Sequence, residues 1–215
     1  MGLDVVMVGL NEIKDRVNKD VAVTALVKWL QENVPEAHTT NIGEPSGPMS
    51  GGHRVGMYSD LHVLRGLALR YEQRGAPGLA GASEEEFAAL SDAFYTSDPP
   101  EATRFNHLIN HSDADGLYVP LPLAEPVYVT GTMKLTPEQE DEEISLSIGS
   151  SEELLRELDE LAPVIGLAGD LGSMTETEFE MAVAETSWPT AAYVWGLLHW
   201  YARESVRGKT LIQFC

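Results

Sequence analysis

Cysteine is nearly missing from these 215 residues, since the one thiol is Cys215 at the end of the sequence. A single cysteine closes no internal disulfide and brings no second thiolate to a metal cluster, which excludes disulfide scaffolds and cysteine-rich zinc sites. Long apolar runs are missing too, and nothing approaches the roughly 18 residues that a membrane-spanning helix needs. The start, Met1-Gly2-Leu3-Asp4, lacks the basic-then-apolar plan of a secretory leader. A cytoplasmic location without a membrane partner is expected. Basic residues are the third scarcity: 14 Lys and Arg, only five of them Lys, stand against 34 Asp and Glu for a formal net charge of -20.

The acidity is lopsided. Residues 1–76 hold nine acids and eight bases, whereas 77–215 hold 25 acids and six bases, and between Glu138 and Glu160 ten acids face only Arg156. Contact with nucleic-acid phosphates is disfavoured by such a balance, so no nucleic-acid partner is expected. Three readings of the charge stay open: a solubilising surface, adaptation to a salty cytoplasm, or a surface that attracts a basic protein partner.

What is present is ordinary globular material, 43% hydrophobic and long enough to bury a core. Residues 3–8 read as a first strand ended by Gly9, and 20–33 as a helix whose Val21, Ala25, Leu26, Trp29 and Leu30 share a face. Residues 34–57 carry so many Gly and Pro that the pattern predicts a loop. Ser59 is placed to cap a helix carrying Leu61, Leu64, Leu67 and Ala68. Ser83/Glu86, Ser150/Glu153 and Thr175/Glu178 have the spacing of capping boxes. A short helix over 102–110 is followed by strand-like runs at 117–120, 127–135 and 144–148, with Pro120, Pro122 and Pro126 confining the first of them to a sheet edge. Pro189 suits the first turn of a last helix, and 210–214 reads as a closing strand. The expected architecture is one α+β domain over 1–215, a small sheet containing the first and last strands packed against amphipathic helices.

Two clusters hold the chemistry-bearing residues. In His107-Leu-Ile-Asn-His111-Ser-Asp113-Ala-Asp115-Gly116, a helix reaching His111 would put both histidines on one face, with Asp113 or Asp115 as third ligand of a metal of the zinc or iron type. Turn chemistry explains the same Asp and Gly residues without a ligand, through bonds to their own backbone and a positive φ at Gly116. In Tyr58-Ser59-Asp60-Leu-His62-Val-Leu-Arg65, the hydroxyls, carboxylate, imidazole and guanidinium lie within two helical turns. Capping by Ser59, a favourable dipole position for Asp60 and an ion pair for Arg65 account for them without a site, and capping alone explains Ser and Asp. Acyl-transfer triads are assembled from separate elements, so Ser59, Asp60 and His62 are not one. Gly149-Ser150-Ser151 reads as a cap, because Glu152 and Glu153 behind it would repel an anion.

Taken together, Gly56-Met-Tyr58-Ser59 with Arg65, the Asn110-to-Gly116 turn, and the end Arg207-Gly-Lys-Thr-Leu-Ile-Gln-Phe214 resemble an uncharacterised bacterial protein family. That family pairs a Gly-Ser-Tyr-Ser…Arg segment with a His-Ser-Asp-Cys-Asp-Gly turn and ends in a strand after a helix. Met57 stands where the pattern has Ser and Ala114 where it has Cys, which argues against a thiol-dependent role for the turn. The family carries no established activity, so the resemblance supplies positions and no reaction. It implies that Tyr58, Ser59, Arg65, His111, Asp113 and Asp115 meet in one cleft, as a buried ion network or a site for a small polar ligand.

The function that follows is a non-catalytic acidic binding protein, immunity- or inhibitor-like, with a basic protein as partner and no cofactor. The alternative is a metal-dependent hydrolase using His107, His111, Asp113 and His62, with metal-bound water as nucleophile. A purely structural subunit is the third reading.

Overall fold

The computed structural model describes residues 2–9, 21–34, 53–97, 102–112, 116–133, 142–167 and 174–214. Its strands are β1 (Gly2–Val8), β2 (His53–Met57), β3 (Gly116–Val119), β4 (Val127–Met133), β5 (Glu142–Ser150) and β6 (Leu211–Phe214). They form one mixed sheet in the order β2-β1-β6-β3-β5-β4. The described helices are α1 (Val21–Asn33), α2 (Tyr58–Arg74), α3 (Glu84–Tyr95), the single turn α4 (Asn106–Ile109), α5 (Ser151–Ile165), α6 (Glu176–Ala184) and α7 (Pro189–Gly208), with a 3-10 turn at Ala76–Leu79. The class is α+β, with the first and last strands paired antiparallel from Val5 and Phe214 to Val8 and Leu211.

Side chains alternate across a strand, so the sheet separates two cores. Val8, Leu117, Val119, Leu146, Ile148 and Leu211 pack with Leu26, Val27 and Leu30 of α1. Val5, Met7, Tyr118, Ile212 and Phe214 pack with the apolar faces of α2, α3, α5 and α7. With both faces covered, β3 reads as a continuous apolar run and is buried throughout.

Three expectations need correction. β3 is interior, parallel to β5 and antiparallel to β6, because Pro120, Pro122 and Pro126 fall beyond its end and take no donor from its ladders. His53–Met57, expected within the loop, forms β2 beside β1. Gly56 sits there at φ 134, a backbone position that punctuates the pattern without ending the strand. The rest of the expected loop, 35–52, lies outside the described residues. Finally, α2 begins one residue before Ser59, which is exposed in its first turn, and Asp60 instead accepts the Met57 N–H at 2.8 Å.

The remaining caps follow the sequence. Ser83 and Glu86 exchange hydrogen bonds of 3.3 and 3.0 Å, Thr175 and Glu178 do likewise, and Ser150 Oγ accepts from Glu153 N at 3.1 Å. The start of α7 is capped from another helix: Glu84 accepts from Thr190 N at 2.7 Å and Ala191 N at 3.1 Å. Helices α2 and α3 approach so closely at Gly66 that a Cβ there would lie 1.7 Å from the carbonyl oxygen of Phe87. Among the described residues no helix is long and apolar enough to cross a membrane.

Candidate functional site

Residues 106–112 connect α3 to β3, and α4 is too short to satisfy its own backbone. Side chains complete the accounting that burial demands. Five consecutive carbonyls are taken: His107 by the Tyr118 hydroxyl (2.8 Å), Leu108 by Arg65 Nε (2.9 Å), Ile109 by the Tyr95 hydroxyl, Asn110 by the Tyr128 hydroxyl and His111 by Arg65 Nη2 (2.6 Å). The amides of His107 and Leu108 donate to the two oxygens of Glu157 at 3.0 and 2.8 Å, and Ser112 N donates to Ser147 Oγ. Donors from α2, α3, β3 and β4 and acceptors from α5 and β5 thus hold one short segment.

The single turn has consequences for the histidines. His107 accepts from Ser150 N at Nδ1 (3.0 Å), and Nε2 lies 2.9 Å from the Leu123 carbonyl, which requires the proton on Nε2. No lone pair is left there for a metal. Burial lowers the His107 pKa. His111 is stacked on Tyr118 at 3.9 Å and donates from Nε2 to the Leu117 carbonyl at 3.1 Å. Burial, with the Arg65 charge adding to it, pushes its pKa down to about 3, so the ring is neutral. Its Nδ1 is buried without a hydrogen-bond partner. Gly149 makes room for this stack, since a Cβ there would lie 2.5 Å from the Tyr118 ring and 2.8 Å from His111 Cδ2. Asp113 and Asp115 lie outside the described residues, among which no three His, Cys, Asp or Glu are grouped to hold an ion.

Glu157 is the residue that sequence reading missed. It is 1% exposed, and burial pushes its pKa up to about 7 against the lowering effect of the two amides it accepts. Its signal was present as a lone acid on the apolar stripe Leu154, Leu158, Leu161 of α5. Tyr95, the last residue of α3, and Tyr128, near the start of β4, carried no such signal.

Arg65 and His111 are brought together, and they line a cleft of about 460 Å³ with His62, Phe94, Tyr95, Ile109, Asn110, Ser112 and Tyr128. Tyr58 and Ser59 do not line it. Tyr58 packs partly buried against the larger core. His62 pairs with Asp92 of α3 at 2.7 Å, and its neighbour Asp60 is engaged in capping.

Beyond the acids that accept from backbone amides, two further sets stand out. Glu153 and Glu160 surround Arg156, Asp159 meets His199, Glu204 meets Arg207, and Glu152 meets Lys209. Glu85, Glu125, Glu176, Glu180 and Glu185 are exposed and have no ion pair among the described residues. The last three belong to α6 and its end, inside a stretch from Arg156 to Arg203 that contains no other Lys or Arg. Burial raises the Tyr193 pKa, and Glu180 and Glu176 add to the shift, so both carboxylates lie near that phenol.

The chain matches the family described as "Putative DNA-mimic protein" over residues 1–214. No curated protein and no solved structure gives a significant match. The family match agrees with the resemblance drawn from the sequence. It overturns the partner expectation as made, a basic protein with no nucleic acid and no membrane, because the description makes DNA the thing imitated. The physical reason for the error is that a net charge of -20 forbids phosphate contact and equally equips a protein to stand in for phosphates.

Proposed function

Since the chain belongs to the family described as "Putative DNA-mimic protein", we propose that it is a non-catalytic acidic protein that occupies the DNA-binding surface of a basic protein, as an inhibitor by occlusion. Duplex DNA presents one negative charge per roughly 1.7 Å of axis, and its protein partners answer with Lys and Arg clusters. A folded domain competes for such a cluster when its carboxylates stand exposed, closely spaced and uncompensated. The observation that carries the reading is α6, where Glu176 and Glu180 stand one turn apart, Glu185 follows, and no ion pair among the described residues neutralises them. Residues one turn apart on a helix have Cβ atoms about 5–6 Å from each other, a spacing that lets one basic cluster engage both.

Helix α3 contributes less evenly. Glu85 and Asp92 lie two turns apart on its exposed side, while Glu86 on its flank faces Arg70 at 3.8 Å. The cores are apolar and the bases sit mostly in local pairs, which concentrates the excess charge on the surface. Competition tests the reading: proteins retained by the immobilised chain should be released by duplex DNA at constant ionic strength, and by salt with a steep dependence. Retained proteins that salt releases and DNA does not would count against it.

A further inference from the structure

Resting on that reading, we infer that Tyr95 and Tyr128 form an aromatic anchor for an arginine side chain of the basic partner. A surface tyrosine ordinarily buries its ring and shows its hydroxyl to water. Here both hydroxyls donate to backbone, to the adjacent carbonyls of Ile109 and Asn110, while Tyr95 is 43% and Tyr128 57% exposed. Each ring is tethered at its far end, and so held in place before any partner arrives, in a residue that stays open to solvent. Rigid, preorganised aromatics lose little entropy on binding and are enriched where interfaces concentrate their energy.

The chemistry of the occupant follows from charge. A π face attracts a cation, and Tyr95 already carries one, the Arg65 guanidinium 5.6 Å from its ring centre. Arg65 itself is 2% exposed and donates to two carbonyls, so it forms the floor of the cleft and leaves the rim to others. Asp92, one turn before Tyr95 on α3, pairs with His62 of the cleft lining and has its side chain 66% exposed. A planar guanidinium that stacks on the rings and reaches this carboxylate suits the site better than a compact ammonium. The net charge of -20 brings such a partner in.

The test uses the full chain with hexa-arginine and hexa-lysine peptides at low salt. Wild type should bind hexa-arginine more tightly than hexa-lysine and shift the ring resonances of Tyr95 and Tyr128 on titration. A Tyr95→Leu plus Tyr128→Leu variant, its fold checked by melting, should bind hexa-arginine ~tenfold more weakly. The Tyr→Phe pair, which keeps the rings and loses the tethers, should fall between. If the leucine variant does not fold, the wild-type ring shifts decide alone. Equal binding by folded leucine variant and wild type, or unmoved ring resonances, would overturn the anchor and leave the acidic-mimic reading standing. Wild type that binds neither peptide would overturn both.

Discussion

Arg65 Nη2 on α2 and the carbonyl of His111 meet at 2.6 Å across 46 residues of sequence. The same guanidinium holds the carbonyl of Leu108 from Nε at 2.9 Å, so one buried side chain fixes two carbonyls, three residues apart, of the segment that contributes Ile109 to Ser112 to the cleft. A lysine at position 65 keeps the charge but cannot span both acceptors. Arg65→Lys is expected to lower unfolding free energy by about 2–4 kcal/mol, from lost charged hydrogen bonds and a carbonyl left unmet. Urea denaturation with an unchanged m-value measures it; a loss under about 0.5 kcal/mol would contradict the clamp.

His111 makes the fold sensitive to acid. Its folded pKa, about 3, is depressed below the ordinary 6.5, so the unfolded chain takes a proton that the folded chain refuses. Its contribution is present above pH 6.5 and is lost as pH falls toward 3. His111→Phe keeps a ring against Tyr118 and removes the donor to Leu117, costing about 1–3 kcal/mol at pH 7. The advantage of wild type over the variant should shrink below pH 6.5 and reverse before pH 4, because the unfolded wild type goes on gaining a proton that the folded chain refuses. A constant gap from pH 7 to 4 would show that the ring is not held neutral.

Glu157 acts in the opposite sense. Its folded pKa, about 7, is raised above the ordinary 4.5, so its contribution is fully present below pH 4.5 and is lost as pH rises to 7. Chemical denaturation across pH 4.5–8 should show wild type losing stability relative to Glu157→Gln over that window and running parallel above it. Parallel curves throughout would mean that the two amide bonds hold the carboxyl at its ordinary value.

Gly66→Ala tests the approach of α2 to α3. The new methyl meets backbone 1.7 Å away, and the helices can only separate, at a cost of about 3 kcal/mol or more. Gly81→Ala has φ 75 and nothing within 4 Å, so it should cost only the left-handed strain, about 1–2 kcal/mol. Equal melting shifts for the two would contradict the packing.

The carboxylates of α6 should matter for binding and not for folding. Glu176→Gln, Glu180→Gln and Glu185→Gln together are expected to leave stability within about 0.5 kcal/mol, or raise it slightly by relieving the repulsion one turn apart. Retention of basic proteins at low salt should drop sharply. Unchanged retention would place the interface elsewhere.

The legible parts of this fold are those with a local cause. The apolar faces of α1 and α5, the capping pairs at Ser83 and Thr175, and the first and last strands follow from spacing and side-chain chemistry within a few residues. The interior place of β3 was not legible, because the prolines that suggested an edge lie beyond the ladder and only the pairing partners decide. The candidate site was half legible. Arg65 and His111 do converge, but the shared helical face for His107 and His111 assumed a helix that proves to be one turn, its backbone claimed by Tyr95, Tyr118, Tyr128 and Glu157. Those partners are 11 to 50 residues away, a distance at which no local pattern reports contact. The charge was plain, and its meaning was not: sign and density fit solubility, salt and attraction of a basic partner alike, and imitation of DNA enters only with the family's description.

The most direct measurement follows fluorescence anisotropy of labelled duplex DNA bound to a basic protein captured by this chain, with the chain titrated in. The account predicts that anisotropy falls saturably to the value of free DNA, and that the Glu176, Glu180 and Glu185 glutamine variant displaces far less. Anisotropy that stays constant, or rises as all three components assemble together, would contradict the claim that the chain takes the place of DNA.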